Sequence, residues 1–318
     1  MSVNATNYSN DADPSGTYHL RERKYRPELT GRVDRLAAAV NETLGENDVL
    51  GAADAEPLTT DMQAALAEGY EVPETLDAPG GLAARREAFN EWFRRQVRNG
   101  VLEPLDDAQV AAGRHYTAKY VRAAERKGEN FARAELERAG VGIAASDDTL
   151  SRPRRAQLLA RLYGRNYGKL ESLTEDMAAD VRDELTFGLI RGENPRDVGR
   201  SISRRVRTLG RWRGELIART ETLRAHNETA LDVYDEWFSS DRSLGYGVEG
   251  SNSRPSNAGT GAGQAMEHTT AGDSRVCSQC RALEGQTYPI RQVKNNRSEL
   301  LPPVHPQCRC VLVVVTST

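Results

Sequence analysis

The sequence predicts a mainly α protein, with an elongated helical N-terminal region followed by a small α+β C-terminal module. Three observations lead there. Apolar side chains recur three and four apart, the helical period, from Val33 to Trp237. Near the end of the chain, Thr287 to Ile290 and the Val-rich run Cys310 to Val315 read as short strands. Only 38% of the 318 residues are hydrophobic and 6% aromatic, which suits a thin core better than a compact globe.

Taken in order, residues 1 to about 30 are polar without apolar period and read as an arm or tail. Val33, Leu36, Val40 and Leu44 predict a helix over 31–44, and a Gly/Pro-containing stretch follows at 71–81. Phe89, Trp92, Phe93 and Val97 predict a helix over 82–99, with Gly100 as its stop. Asp106 or Asp107 is placed to cap the next helix, which runs through Tyr116, Tyr120 and Val121 toward Gly128. Another passes Phe131 and Leu136 and ends at Ala139-Gly140. Ser151 with Pro153 just inside is a helix start, and that segment runs past Leu170 to Ile190 with a break near Gly164 to Gly168. Asn194-Pro195 opens one more helix, and Gly214 to Phe238 forms the last. Residues 239–265 are dominated by Ser, Gly and Asn and read as a flexible insertion. The organisation expected is therefore an arm with short helices over 1–80, a helical region over 81–180, and a C-terminal module over 181–318.

Charge excludes several classes. The 43 basic and 46 acidic residues nearly cancel, giving a net charge of −3, so neither a polycationic nucleic-acid coat nor a disordered acidic chain fits. The most prominent apolar run, Val311 to Val315, is far short of the roughly 20 residues that cross a bilayer. The N-terminus lacks the basic start and apolar stretch of an export signal, so a cytoplasm-like compartment and no membrane partner are expected. Locally the balance changes: from 196 to 224 nine arginines face three acids, a balance of +6. Arg196, Arg200, Arg204, Arg207 and Arg211 form a stripe beside the apolar one of Val198, Ile202, Val206 and Leu209. Such a stripe is either a solvated helix face or an edge that meets DNA phosphates or an acidic protein surface.

All four cysteines lie between 277 and 310. Cys277-Ser-Gln-Cys280 is followed by His305-Pro-Gln-Cys308-Arg-Cys310, two knuckles that bring four thiols and an imidazole into one segment. Zinc is tetrahedral and takes such ligands, and CxxC is the spacing that lets two sulfurs reach one ion. Four of the five would bind: Cys277 and Cys280 with His305 and Cys308, Cys310 being the contender for a place. A structural zinc in a segment short of core is one reading. Disulfides are a second, weakened by the absent export signal. A catalytic zinc is a third, since Glu267, His268, Asp273 and Glu284 lie close by in sequence.

In their order, these pieces resemble the phage Mu F-like minor head proteins, also called phage head-morphogenesis proteins. Leu189-Ile-Arg-Gly-Glu-Asn-Pro-Arg-Asp-Val is similar to that family's lead-in to a helix. Ala218-Arg-Thr-Glu-Thr, with Ala225, Asn227 and Ala230, is similar to its most recognisable helical motif, here carried by Arg219, Thr220 and Glu221. Asp273-Ser-Arg-Val-Cys-Ser-Gln-Cys with Leu283-Glu-Gly resembles its first cysteine knuckle, and Leu301-Pro-Pro-Val-His-Pro-Gln-Cys-Arg-Cys its closing motif. Together they cover 181 to 312. The chain departs from the family at the position near His268, where a Trp is common, and in the length of 239–265. The resemblance implies a low-copy, non-enzymatic minor capsid protein of a tailed virus, held in the virion head at the portal vertex; the zinc is read from the knuckles themselves. It would assist head assembly and DNA packaging or delivery after assembly in the host cytoplasm. The partner implied is the portal protein, with the major capsid protein or scaffold as a further candidate, while the arginine stripe adds viral double-stranded DNA without sequence preference.

Two other classes compete. A zinc-supported nuclease needs a second catalytic histidine, for which His226 and His268 are the nearest candidates. A zinc-stabilised, non-specific DNA-binding protein needs a basic face, which the stripe alone offers. Arg219 and Glu221 pose a separate question, because residues two apart on a helix point away from each other and cannot pair. Each is expected to reach a different neighbour, Arg219 a carboxylate or carbonyls of the zinc module.

Overall fold

The computed structural model describes residues 13–45, 82–140, 149–239 and 264–316. Its order is α1 (Tyr18–Leu20), a π-helical turn (Arg21–Tyr25), α2 (Arg26–Gly45), α3 (Leu82–Val97) with a second π-helical turn (Arg98–Leu102), α4 (Asp107–Ala111), α5 (Ala118–Arg138), α6 (Arg152–Ile190), α7 (Pro195–Ser239), β1 (Gln264–Thr269), α8 (Ser278–Leu283), β2 (Thr287–Pro289), α9 (Ile290–Asn295), α10 (Arg297–Leu300) and β3 (Val311–Thr316). The fold is mainly α, with one small antiparallel sheet among the described residues, in the order β2-β1-β3. Among the described residues no helix is long and apolar enough to cross a membrane.

Contacts divide the chain into two compact units, neither of them contiguous. The first comprises 1–25, 107–165 and 216–318; the second comprises 26–106 and 166–215. Each of the long helices α6 and α7 gives one part to each unit.

Several expectations about boundaries are corrected by packing. Residues 18–30 are helical rather than a tail, and they bury Leu20, Tyr25 and Leu29, with the Tyr25 ring stacked on Tyr120 at 4.5 Å. This stretch hides from a periodicity search because a π-helical turn adds a residue to the repeat at Arg21–Tyr25. Gly100 does not stop the third helix; the winding continues through it to bury Val101 and Leu102, and ends at Glu103, whose φ is 54°. The helix expected through Tyr116 is interrupted between Ala111 and Ala118, and Gly128 lies inside α5 instead of ending a helix. A Cβ on Gly128 would collide with the backbone carbonyl of His226, so this glycine marks a close crossing of α5 and α7.

α6 runs unbroken through Gly164 and Gly168, both solvent-facing. Each costs about 1 kcal/mol of helix propensity, which is small against the burial of Leu158, Leu162, Tyr163, Tyr167 and Leu170 around them. The two helices expected over 194–238 are likewise one. A Cβ on Gly210 would stand 2.5 Å from Val33, so Gly210 is where α2 approaches α7 within the second unit. Val198, Ile202 and Val206 are buried there, as the apolar stripe requires.

In the sheet, β1 pairs antiparallel with β3 from Gln264↔Thr316 to Thr269↔Val311, and with β2 from Ala265↔Pro289 to Glu267↔Thr287. β2 and β3 fall on the two predicted strands. β1 was not expected: residues 264–265 belong to it rather than to an insertion, while 240–263 lie outside the described residues. Met266 and His268 alternate with half-buried neighbours, the period of a strand with one covered face.

Candidate metal centre

The cysteines and His305 come together in the first unit, beside the part of α7 that bears the helical motif. Cys277 is the N-cap of α8, and its Sγ accepts a hydrogen bond from the Cys280 N–H at 3.4 Å. That bond, at a helix N-terminus, pulls the Cys277 thiol below its ordinary value. One helical turn later Cys280 points inward and is buried. The second knuckle is a tight turn: the Cys308 N–H bonds the His305 carbonyl at 3.2 Å, with Gln307 at φ 65°. Cys308 and Cys310 are both buried, and they share a small core with Cys280 and Leu223 of α7.

The donor atoms form two triads, Cys277–Cys280–His305 and Cys280–Cys308–Cys310, each with all atoms within 4.8 Å of one another. Cys280 belongs to both. His305 Nε2 lies 2.9 Å from Cys280 Sγ and 3.2 Å from Cys277 Sγ. Its Nδ1 is 2.6 Å from the Pro306 carbonyl and must donate to it, which leaves the Nε2 lone pair facing the sulfurs. Cys280 Sγ and Cys308 Sγ are 3.9 Å apart. Two thiolates on a tetrahedral ion with bonds of about 2.3 Å stand about 3.8 Å apart, so this spacing fits a shared metal. The four cysteines are free thiols, so the disulfide pairing is not formed. These residues could hold a metal ion, and the donor set of soft sulfurs with one imidazole is the kind zinc takes.

The acidities are staggered. A hydrogen bond from the Cys310 side chain brings Cys308 down to about 6, whereas burial, reinforced by the Cys308 charge, pushes Cys280 up to about 12. Cys310 is driven upward by its hydrogen bond to Cys308 and by burial.

The motif helix reaches into this cluster. Arg219 donates to Gln307 Oε1 at 3.4 Å and to Glu22 Oε1 at 3.0 Å, while Glu221 receives Arg165 Nε at 3.1 Å. The two therefore do reach different neighbours. Thr220 Oγ1 is buried, with no hydrogen-bond partner among the described residues. Arg224 donates to the Pro303 carbonyl at 3.2 Å, and Asn227 Nδ2 to the Cys310 carbonyl at 3.2 Å. Of the acids near the first knuckle, Glu284 accepts the Thr270 N–H at 2.8 Å and Asp273 is tied to arginines that hold it well below the usual carboxylate range. His226 and His268 are both fully buried, and burial lowers each to about 4.

The arginine stripe lies elsewhere, in the second unit. All five arginines are exposed, but acids claim several of them. Arg200 pairs with Asp197 at 2.5 Å, and Asp34 takes Arg211 at 3.0 Å and Arg207 at 3.9 Å. Arg200 and Arg204 line two surface cavities of about 590 and 370 Å³. The larger also has Arg207, Asn41 and Glu42.

The contacts of Asn227, Arg224 and Leu223 with the cysteine segment were beyond sequence reasoning, since they join positions dozens of residues apart that share no period. No family model, curated protein or solved structure matches the chain.

Proposed function

We propose that the protein is a minor head protein of a tailed virus, bound at the portal vertex, with a zinc ion as structural tie rather than reaction centre. The observation that carries this reading is that motif pieces far apart in sequence meet in one place. Arg219 and Asn227 of the helical motif contact Gln307 and Cys310 of the closing motif, and Leu223 packs on the thiols of both knuckles. A cluster so enclosed, with three of its four cysteines buried, suits cross-linking of a small module better than access for a substrate. The exposed arginines of α7 supply a salt-sensitive, sequence-independent attraction for packaged DNA.

The test is co-expression with the portal protein encoded in the same genome. The reading expects a stable complex by size-exclusion chromatography, and the protein itself among the components of purified particles. A genome without a portal gene, or particles lacking the protein, would sink it. Incubating the zinc-loaded protein with plasmid DNA separates the nuclease class, for which no cleavage is expected.

A further inference from the structure

The two knuckles are joined by more than their donors. Asp273 lies four residues before Cys277, and Arg309 stands between Cys308 and Cys310. Arg309 Nη1 donates to Asp273 Oδ2 at 2.7 Å and Nη2 to Oδ1 at 2.5 Å, two parallel bonds across 36 residues of chain. The side chains are 12% and 23% exposed, so solvent screens the pair only in part. Burial along the second knuckle alternates: Cys308 inward, Arg309 half-buried, Cys310 inward. Arg309 thus leaves on the side opposite the thiols, and Asp273 catches it there.

Asp273 also fixes its own knuckle. Its Oδ1 accepts the Arg275 N–H at 3.0 Å, its Oδ2 the Arg275 guanidinium at 3.0 and 3.1 Å, and its carbonyl the Val276 N–H at 3.2 Å. One carboxylate therefore organises the turn into Cys277 and grips the segment bearing Cys308 and Cys310. The need for such a grip follows from the donors. The two triads overlap only at Cys280, so a small slide of one knuckle past the other would change which sulfurs face a common point.

We propose that Asp273 and Arg309 are positioning residues for the metal. Their bidentate pair sets the register of the second knuckle against the first, and with it the affinity for the ion and the number of thiolates that reach it. This rests on the reading of the cluster as a metal site. Outer partners that orient ligands in this way are worth about 10- to 100-fold in metal affinity. A guanidinium fork is required, because a lysine at 309 would keep the charge but lose the two parallel bonds.

The test is cobalt(II) titration of the full-length protein, followed by competition with zinc. The visible bands of cobalt report tetrahedral geometry, and the thiolate-to-cobalt band in the near ultraviolet counts sulfurs. Asp273→Asn and Arg309→Lys are each expected to weaken binding about 10- to 100-fold and to lower the sulfur band, with unchanged helical circular dichroism. The double variant should be no weaker than the worse single one, as for two residues acting as one device. A normal cobalt spectrum in the unaltered protein with undiminished affinity in both variants would overturn the proposal alone. No cobalt spectrum in the unaltered protein would overturn the metal reading and this proposal with it. If Asp273→Asn loses helical structure, Arg309→Lys, which removes no charge, decides.

Discussion

Asn227 donates its side-chain amide to the backbone carbonyl of Cys310 at 3.2 Å, so a buried residue of the long helix α7 holds the chain where the second knuckle passes into β3. The bond links helix, cluster and sheet edge, alongside the contact of Arg224 with the Pro303 carbonyl. Leu223, one turn earlier on the same helix, packs against Cys280, Cys308 and Cys310.

Replacing Asn227 by Ala should therefore destabilise the protein by about 1–3 kcal/mol, since the Cys310 carbonyl would be left buried and unpaired. The midpoint of urea unfolding, monitored by circular dichroism, measures it. An unchanged midpoint would mean that the carbonyl finds another donor.

Cys280 is common to both donor triads, whereas Cys310 belongs to one. Cys280→Ser should reduce zinc from about one ion per chain to almost none, while Cys310→Ser should retain most of it. Elemental analysis of the purified variants gives the answer. Equal loss in both would place Cys310 among the ligands.

Two glycine substitutions should act with opposite sign. Gly164→Ala, at a solvent-facing position of α6 with nothing within 4 Å of the new Cβ, is expected to stabilise by about 0.5–1 kcal/mol. Gly128→Ala should gain the same propensity but destabilise overall by about 1–3 kcal/mol, because its Cβ meets the His226 carbonyl. Thermal melts of the two variants suffice. Stabilisation by both would refute the close crossing.

Stability should depend on pH through the buried histidines. His226 and His268 titrate near 4 in the folded protein and near 6.5 in the unfolded chain. Above pH 6.5 both states are neutral and nothing is lost. Below it the unfolded chain takes up protons that the folded protein refuses, so stability falls by about 1.4 kcal/mol per pH unit per histidine until about pH 4. His226→Gln should remove about one proton's worth of slope between pH 6 and 5. Protonation of the cysteine cluster is common to both proteins, so the difference isolates His226. Parallel slopes would be evidence against its low value.

On the proposed function, replacing Arg200, Arg204 and Arg207 by Glu should spare folding and portal binding but reduce DNA retention. Arg200 and Arg207 already have acidic neighbours in Asp197 and Asp34, so Arg204→Glu is expected to account for most of the effect. Salt dependence of binding to duplex DNA measures it, each lost phosphate contact lowering the slope by about one. Particles of normal DNA content and infectivity from the triple variant would leave the stripe a solvated face.

The fold class, the run of helices, two of the three strands and the five donor residues were legible in the sequence. Each is written in a local code: the 3.6-residue period of Val198, Ile202 and Val206, the Val-rich run at Val311 to Val315, the CxxC spacing of Cys277 and Cys280. Local codes are readable because they follow from the geometry of one segment. What only the tertiary structure decided lies between segments. Gly128 and Gly210 carry the same local signal as a helix stop, yet they sit inside helices because His226 and Val33 approach them. β1 has no apolar pattern of its own and exists because β2 and β3 supply its hydrogen-bond partners. The helical stretch at 18–30 is hidden in the sequence because a π-helical turn breaks its period, and it is the stacking of Tyr25 on Tyr120 that packs it. Asp273 and Arg309 look like surface charges until the chain brings them face to face. A pairing between residues dozens of positions apart costs loop-closure entropy and is chosen by the sum of all packing, so no window of sequence contains it.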